Sequence, residues 1–215
     1  MPVNAKLFMI LLGCRPKGRL TEQHDIFFGI AKQLKDIIPS IHDFWPDAKN
    51  NIHIDVWSEL TYVQPYTINV VSRNTPVNDL ETNNKLFFIN LGGYRKREFE
   101  EYHHKKLVVA PDKGVAIQKS KETTFYQHTG FAGANTHIDD KFGVDVDDIF
   151  EIEDILPASM KASFRLQISE SKPDDLNLED EMHIGYLRLN KIKENAFLRE
   201  DAKTWGRGDN LNDGS

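Results

Sequence analysis

Cysteine is nearly absent: Cys14 is the single thiol in 215 residues. That excludes an internal disulfide framework and a multi-cysteine zinc site. Long apolar runs are absent as well, and nothing approaches the roughly 20 residues of a membrane span. Positive charge is not in excess, since 27 Lys and Arg stand against 33 Asp and Glu, a net −6. Wrapping DNA or RNA normally demands the opposite sign, so nucleic acid is not an expected partner. Also missing are the G-x-S-x-G elbow and the glycine-rich phosphate loops. What is present is an ordinary globular balance, 40% hydrophobic and 28% charged. That supplies a core for one large domain or two small ones.

The run Leu7-Phe8-Met9-Ile10-Leu11-Leu12-Gly13-Cys14 has the look of a lipoprotein leader. Its apolar core is only six residues long, below the roughly 7–15 of a signal sequence. Nearly the same string recurs inside the chain as Leu86-Phe87-Phe88-Ile89-Asn90-Leu91-Gly92-Gly93, where no export signal could act. Both therefore read as buried strands. A cytoplasmic location with no membrane contact is the expectation, and the lone cysteine agrees with it.

The recurrence extends further. Glu22-Gln23-His24 matches Glu101-Tyr102-His103 at the same shift of 79, and His53-Ile54-Asp55 matches His137-Ile138-Asp139 at 84. Two copies of one unit follow, 5–73 and 84–156, joined by a polar linker. A C-terminal strand pair over 157–198 packs on them, and a polar tail runs over 199–215. Each unit reads as β-β-α-β-β. In the first, strands are expected at Leu7–Cys14, His24–Ile30, from His53, and at Tyr66–Ser72. A helix over 32–45 is interrupted by Pro39. In the second, Asp112 caps a helix over 112–127, and Asp148–Ile155 stands as the counterpart of Tyr66–Ser72. The fold class is α+β. The units pair into one pseudo-symmetric mixed or antiparallel sheet with helices on one face.

The glycine-ended apolar strand, the Glu22-x-His24 pair and His53-Ile54-Asp55-x-Trp57 resemble the bacterial domain of unknown function DUF1543. That family is similar in occurring as one or two copies per chain, and the resemblance here covers two tandem copies. Copy two has Lys141 where Trp57 would repeat. The resemblance implies the fold and the repeat boundaries and brings no chemistry of its own.

Chemistry has to come from the residues. Side chains two apart on a strand share a face. So Glu22 with His24, and His53 with Asp55, each present two polar groups together, and neighbouring strands would make all four converge. Two imidazoles and two carboxylates suit a divalent transition metal such as Zn, Mn, Fe or Ni. Copy two offers Glu101, His103, His137 and Asp139. The plainer alternative is a set of histidine–carboxylate pairs that lock strand register. Acid–base work is a third use of the same groups.

After each first strand comes a basic loop: Arg15, Lys17 and Arg19 in copy one, Arg95, Lys96 and Arg97 in copy two. Guanidinium forks there fit a phosphate or carboxylate, and solvated loop charge is the bland alternative. Trp57 is expected on the face of His53 and Asp55, as a wall of the site. Three functions stay open: a protein binding a metal or small anion, a metal-dependent hydrolase or isomerase, and a protein-interaction module using the acidic 170–181 segment. A homo-oligomer is compatible with all of them.

Overall fold

The structure is a computed structural model, and it describes residues 4–94, 97, 99–121, 145–171 and 179–192. Ten strands are present among them. The first half carries β1 (Lys6–Cys14), β2 (Gln23–Ala31), α1 (Ile38–Phe44), β3 (His53–Glu59), β4 (Tyr62–Val63) and β5 (Tyr66–Ser72). The second carries β6 (Lys85–Tyr94), β7 (Glu101–Ala110), α2 (Lys113–Lys121), β8 (Asp145–Glu151), α3 (Ile152–Ile155), α4 (Ala158–Ser163) and β9 (Phe164–Glu170). Strand β10 (His183–Arg188) comes last. The class is α+β, and the described ladders are antiparallel. No helix among the described residues is long and apolar enough to cross a membrane.

The strands form three sheets, ordered β10-β3-β1-β2, β7-β6-β8 and β4-β5-β9, rather than the one continuous sheet expected. The reason lies in the central strands. Both β1 and β6 are apolar on both faces, so each needs cover on two sides. Phe8, Ile10 and Leu12 on one face of β1 pack with Ile37 and Ile41 of the α1 region. Phe87, Ile89 and Leu91 of β6 pack with Ala116 of α2. The opposite faces meet in a shared core, where Leu7, Phe28 and Ile30 join Leu86, Phe88 and Val109. The rings of Phe28 and Phe88 lie 5.5 Å apart. Strands β5 and β9 close this core, paired with Ile68 opposite Ile168.

Local signals explain the helices. Pro39 sits in the first turn of α1, directly after a short 3₁₀ turn over Leu34–Ile37. The proline thus divides the helical stretch where its missing N–H costs least. Asp112 accepts the Val115 N–H at 2.9 Å and caps α2, as its position before an apolar run implies.

The two larger sheets share a connectivity. In each, the central strand pairs with the next strand on one side and with a later strand on the other. The second ladder is irregular between Leu11 and Leu12 in one sheet and between Asn90 and Leu91 in the other. Lys6–Glu59 at 2.6 Å and Lys85–Glu151 at 2.7 Å are ion pairs at matching places. This register corrects two expectations. The region expected as Asp148–Ile155 does not play the part of Tyr66–Ser72. Its strand, β8, lies against β6 in the position that β3 takes against β1, and α3 follows. The C-terminal strands also do not pair with each other: β9 joins β5 and β10 joins β3. Periodicity marks a strand but carries no information about its partner.

Phe28 is buried where the two halves meet. Phe28→Ala should cost about 3–5 kcal/mol. Urea unfolding followed by circular dichroism would show it as a lowered midpoint with an unchanged slope.

Candidate functional site

The site is built on the end of β1. Gly13 lies opposite His24 of β2 on one side and opposite His53 of β3 on the other. Strands β2 and β3 are therefore not neighbours, contrary to the simplest way of bringing their polar pairs together. With ~4.8 Å between adjacent strands, their backbones stand nearly ~10 Å apart. Their side chains nonetheless meet, because the residue between them has none. A Cβ on Gly13 would fall 2.3 Å from His53 Nε2 and 2.6 Å from Asp55 Oδ2. The glycine is required here by close approach, not by its backbone angles.

Four groups converge over it. His53 Nε2 lies 3.0 Å from Glu22 Oε1 and 3.3 Å from Asp55 Oδ1. His24 Nε2 lies 3.3 Å from Asp55 Oδ2 and 3.9 Å from Glu22 Oε2. The quartet is graded in exposure. The His53 side chain is 4% exposed and Asp55 24%, while Glu22 and His24 are each 44% exposed. It thus has a buried floor and an open rim. Close as they are, these groups leave bonds unmade. Among the described residues, neither nitrogen of His53 nor Oδ2 of Asp55 has a hydrogen-bond partner. A buried imidazole without partners is costly. Among the described residues, no group of three or more His, Cys, Asp or Glu side chains, this quartet included, is placed so that it could hold a metal ion without rearranging.

The β3 ladder slips at Asp55, since Leu12 pairs with Ile54 and Leu11 with Val56. A bulge of this kind reverses the alternation beyond it. Trp57 therefore joins Ile54 in the cluster facing α1 and lies 6.1 Å from the Phe8 ring. It does not wall the quartet as strict alternation predicts. Its indole stacks instead on His183 of β10 at 3.9 Å. The wall comes from Tyr186, whose ring lies 4.2 Å from that of His53.

Beside His53 and Glu22 opens a cavity of about 810 Å³, lined in addition by Arg15, His42, Tyr186 and Arg188 among others. Of the first basic loop, Arg15 reaches it. Lys17 and Arg19 are exposed and belong to a turn in which the Arg19 N–H donates to Pro16 O at 3.2 Å. Gly18 takes the positive φ of 85° that this turn needs. Tyr186 and Arg188 were not anticipated. Their signal in the sequence is faint: an aromatic and a cation two apart on a short strand.

In the second sheet, Glu101 and His103 repeat the first pair, with His103 Nε2 3.7 Å from Glu101 Oε2. His103 lies opposite Gly92, as His24 lies opposite Gly13. His137 and Asp139 lie outside the described residues, as do Arg95 and Lys96, whereas Arg97 is exposed. The residue opposite Gly92 on the third strand is Asp145. In register, then, an aspartate stands where the first sheet has His53.

Cys14 is fully buried beside this site. Burial, and then the Glu22 carboxylate, push its thiol above the ordinary range, so it remains protonated and a poor nucleophile. Native protein should resist iodoacetamide at pH 8 and react fully in urea. Mass spectrometry of both samples checks this.

Residues 19–70 match the family model described as Domain of Unknown Function (DUF1543). Among solved structures, the chain is similar to the crystal structure of a protein Il1583 from Idiomarina loihiensis. The TM-score is 0.55 at 22% identity, over 86% of this chain and 97% of that one. At that identity the likeness is one of fold. No curated protein matches the chain. Glu22, His24, His53 and Asp55 all fall inside the matched segment, so it is over the stretch carrying the quartet that the chain resembles DUF1543.

Proposed function

We propose that the chain is a cytoplasmic binding protein that holds a divalent transition metal at Glu22, His24, His53 and Asp55. One observation carries the reading: two imidazoles and two carboxylates meet over a glycine without hydrogen-bonding one another. Donors held ~2.0–2.1 Å from one ion in a tetrahedron stand ~3.3 Å apart. The four nitrogen–oxygen separations, from 3.0 to 3.9 Å, are of that order. His53 lies beside one oxygen of each carboxylate and His24 beside the other, so a small rearrangement would present four donors to one ion. A cation would draw the groups inward and satisfy the orphaned atoms of His53 and Asp55. Borderline nitrogen and oxygen donors favour Zn, Mn, Fe or Ni over Ca.

The half-exposed rim of Glu22 and His24 supports a second reading, a metal-dependent hydrolase or isomerase in which a coordination position stays open to the cavity. We also read the two similar sheets as copies of one ancestral unit, of which the first has the fuller donor set among the described residues. The interaction-module reading has less support. Within the acidic segment, Asp180 accepts from the Thr61 and Tyr62 N–H groups at 2.8 and 3.1 Å, which is a fold-tying role.

Metal analysis of purified protein should find about one equivalent per chain. His53→Ala and Gly13→Ala should each lose it while keeping the native far-ultraviolet circular dichroism. Stripping with a chelator should lower the melting temperature, and readdition should restore it. The reading fails if no metal is retained and none of Zn, Mn, Fe or Ni raises the melting temperature.

A further inference from the structure

We propose that the cavity beside the quartet receives a small organic oxyanion, a carboxylate or a phosphate, gripped by Arg15 and Arg188. The inference deepens the metal reading and rests on it for the cation that the anion would face.

The volume, about 810 Å³, falls within the roughly 300–1,000 Å³ usual for small-molecule sites. Two guanidinium groups line it from distant parts of the chain, Arg15 just after β1 and Arg188 at the end of β10. Neither is paired with a carboxylate among the described residues. Arg15 Nε donates to Arg19 O at 3.4 Å, and the Arg188 guanidinium lies 5.9 Å from the centre of the Tyr186 ring. Arginines that neutralise acidic neighbours hold surfaces together. Arginines that line a concavity without such neighbours have forked donors left for an incoming oxyanion. Ile38, Ile52 and Leu189 supply an apolar side to the same cavity, which suits an organic body more than a bare inorganic ion.

The carboxylates of the quartet set the order of events. Glu22 and Asp55 repel an anion while they carry uncompensated charge. A divalent ion held by the quartet would cancel that charge, two positives against two negatives, and so remove the repulsion at the cavity wall that Glu22 and His53 supply. Metal and anion therefore bind cooperatively, and the coupling is reciprocal.

The test is isothermal titration of the full chain with inorganic phosphate and, separately, with malonate. Each titration is run on metal-free protein and on protein loaded with one equivalent of Zn(II) and freed of excess. At least one probe should bind at one per chain, roughly tenfold or more tighter in the loaded protein. Arg15→Gln and Arg188→Gln should each weaken binding roughly tenfold and leave the zinc content unchanged. Phosphate binding without malonate binding assigns the site to phosphate, and the converse assigns it to carboxylates. The inference is overturned if neither probe binds zinc-loaded protein, or if both variants bind as the parent does. Zinc retained without anion binding sinks the inference alone. Anion binding that depends on both arginines in protein that retains no zinc sinks the metal reading and leaves the anion site standing.

Discussion

A single missing side chain organises the site. In a sheet, residues on alternate strands are kept apart by whatever the strand between them carries. At Gly13 it carries nothing, and polar groups reach across it, His53 to Glu22 just before β2 at 3.0 Å and Asp55 to His24 of β2 at 3.3 Å. The close approach gathers two carboxylates and two imidazoles at one point of the sheet. It also holds His53 in a buried place where its nitrogens are unmet. Such local cost persists only when the surrounding fold over-determines it.

The surroundings do so through burial. Strand β1 is flanked on both sides by partners, and its two faces feed two different cores. A strand fixed on four sides has little freedom to slide, and a slip by one residue would turn its apolar set inside out. Gly13 is thereby pinned opposite both histidines. The bulge at Asp55 completes the arrangement. It leaves His53 and Asp55 over the glycine while it sends Trp57 to the α1 side, where the indole is anchored between Phe8 and His183.

Strand β10 adds what the first half lacks. It joins the edge of β3 and brings Tyr186 against the His53 ring and Arg188 to the cavity. Gly185, at φ 153°, lies in the irregular stretch of this ladder just before Tyr186. The segment leading into β10 is tied down by Asp180 on Thr61 and by the Ser58 hydroxyl, which donates to Glu181 O at 2.9 Å. The matched family segment ends at residue 70, so the tyrosine, Arg188 and the cavity wall they form come from outside it.

Much was legible in the order of residues. Apolar runs located most of the strands, because burial on two faces writes a continuous hydrophobic stretch. Pro39 and Asp112 marked helix boundaries through the chemistry of the free N–H groups. The first quartet was legible as Glu22-x-His24 and His53-x-Asp55, because two-residue spacing needs only a strand to share a face. What the residues alone could not settle was pairing. The His-Ile-Asp match at residue 137 lies outside the described residues, and the ladder sets Asp145 opposite Gly92. Strand order, the bulge that moved Trp57 and the arrival of Arg188 are long-range outcomes, chosen by which faces can be buried together. Local composition therefore determined which donors exist, and the packing of distant strands decided which of them meet, because side-chain periodicity is a property of one strand and convergence is a property of three.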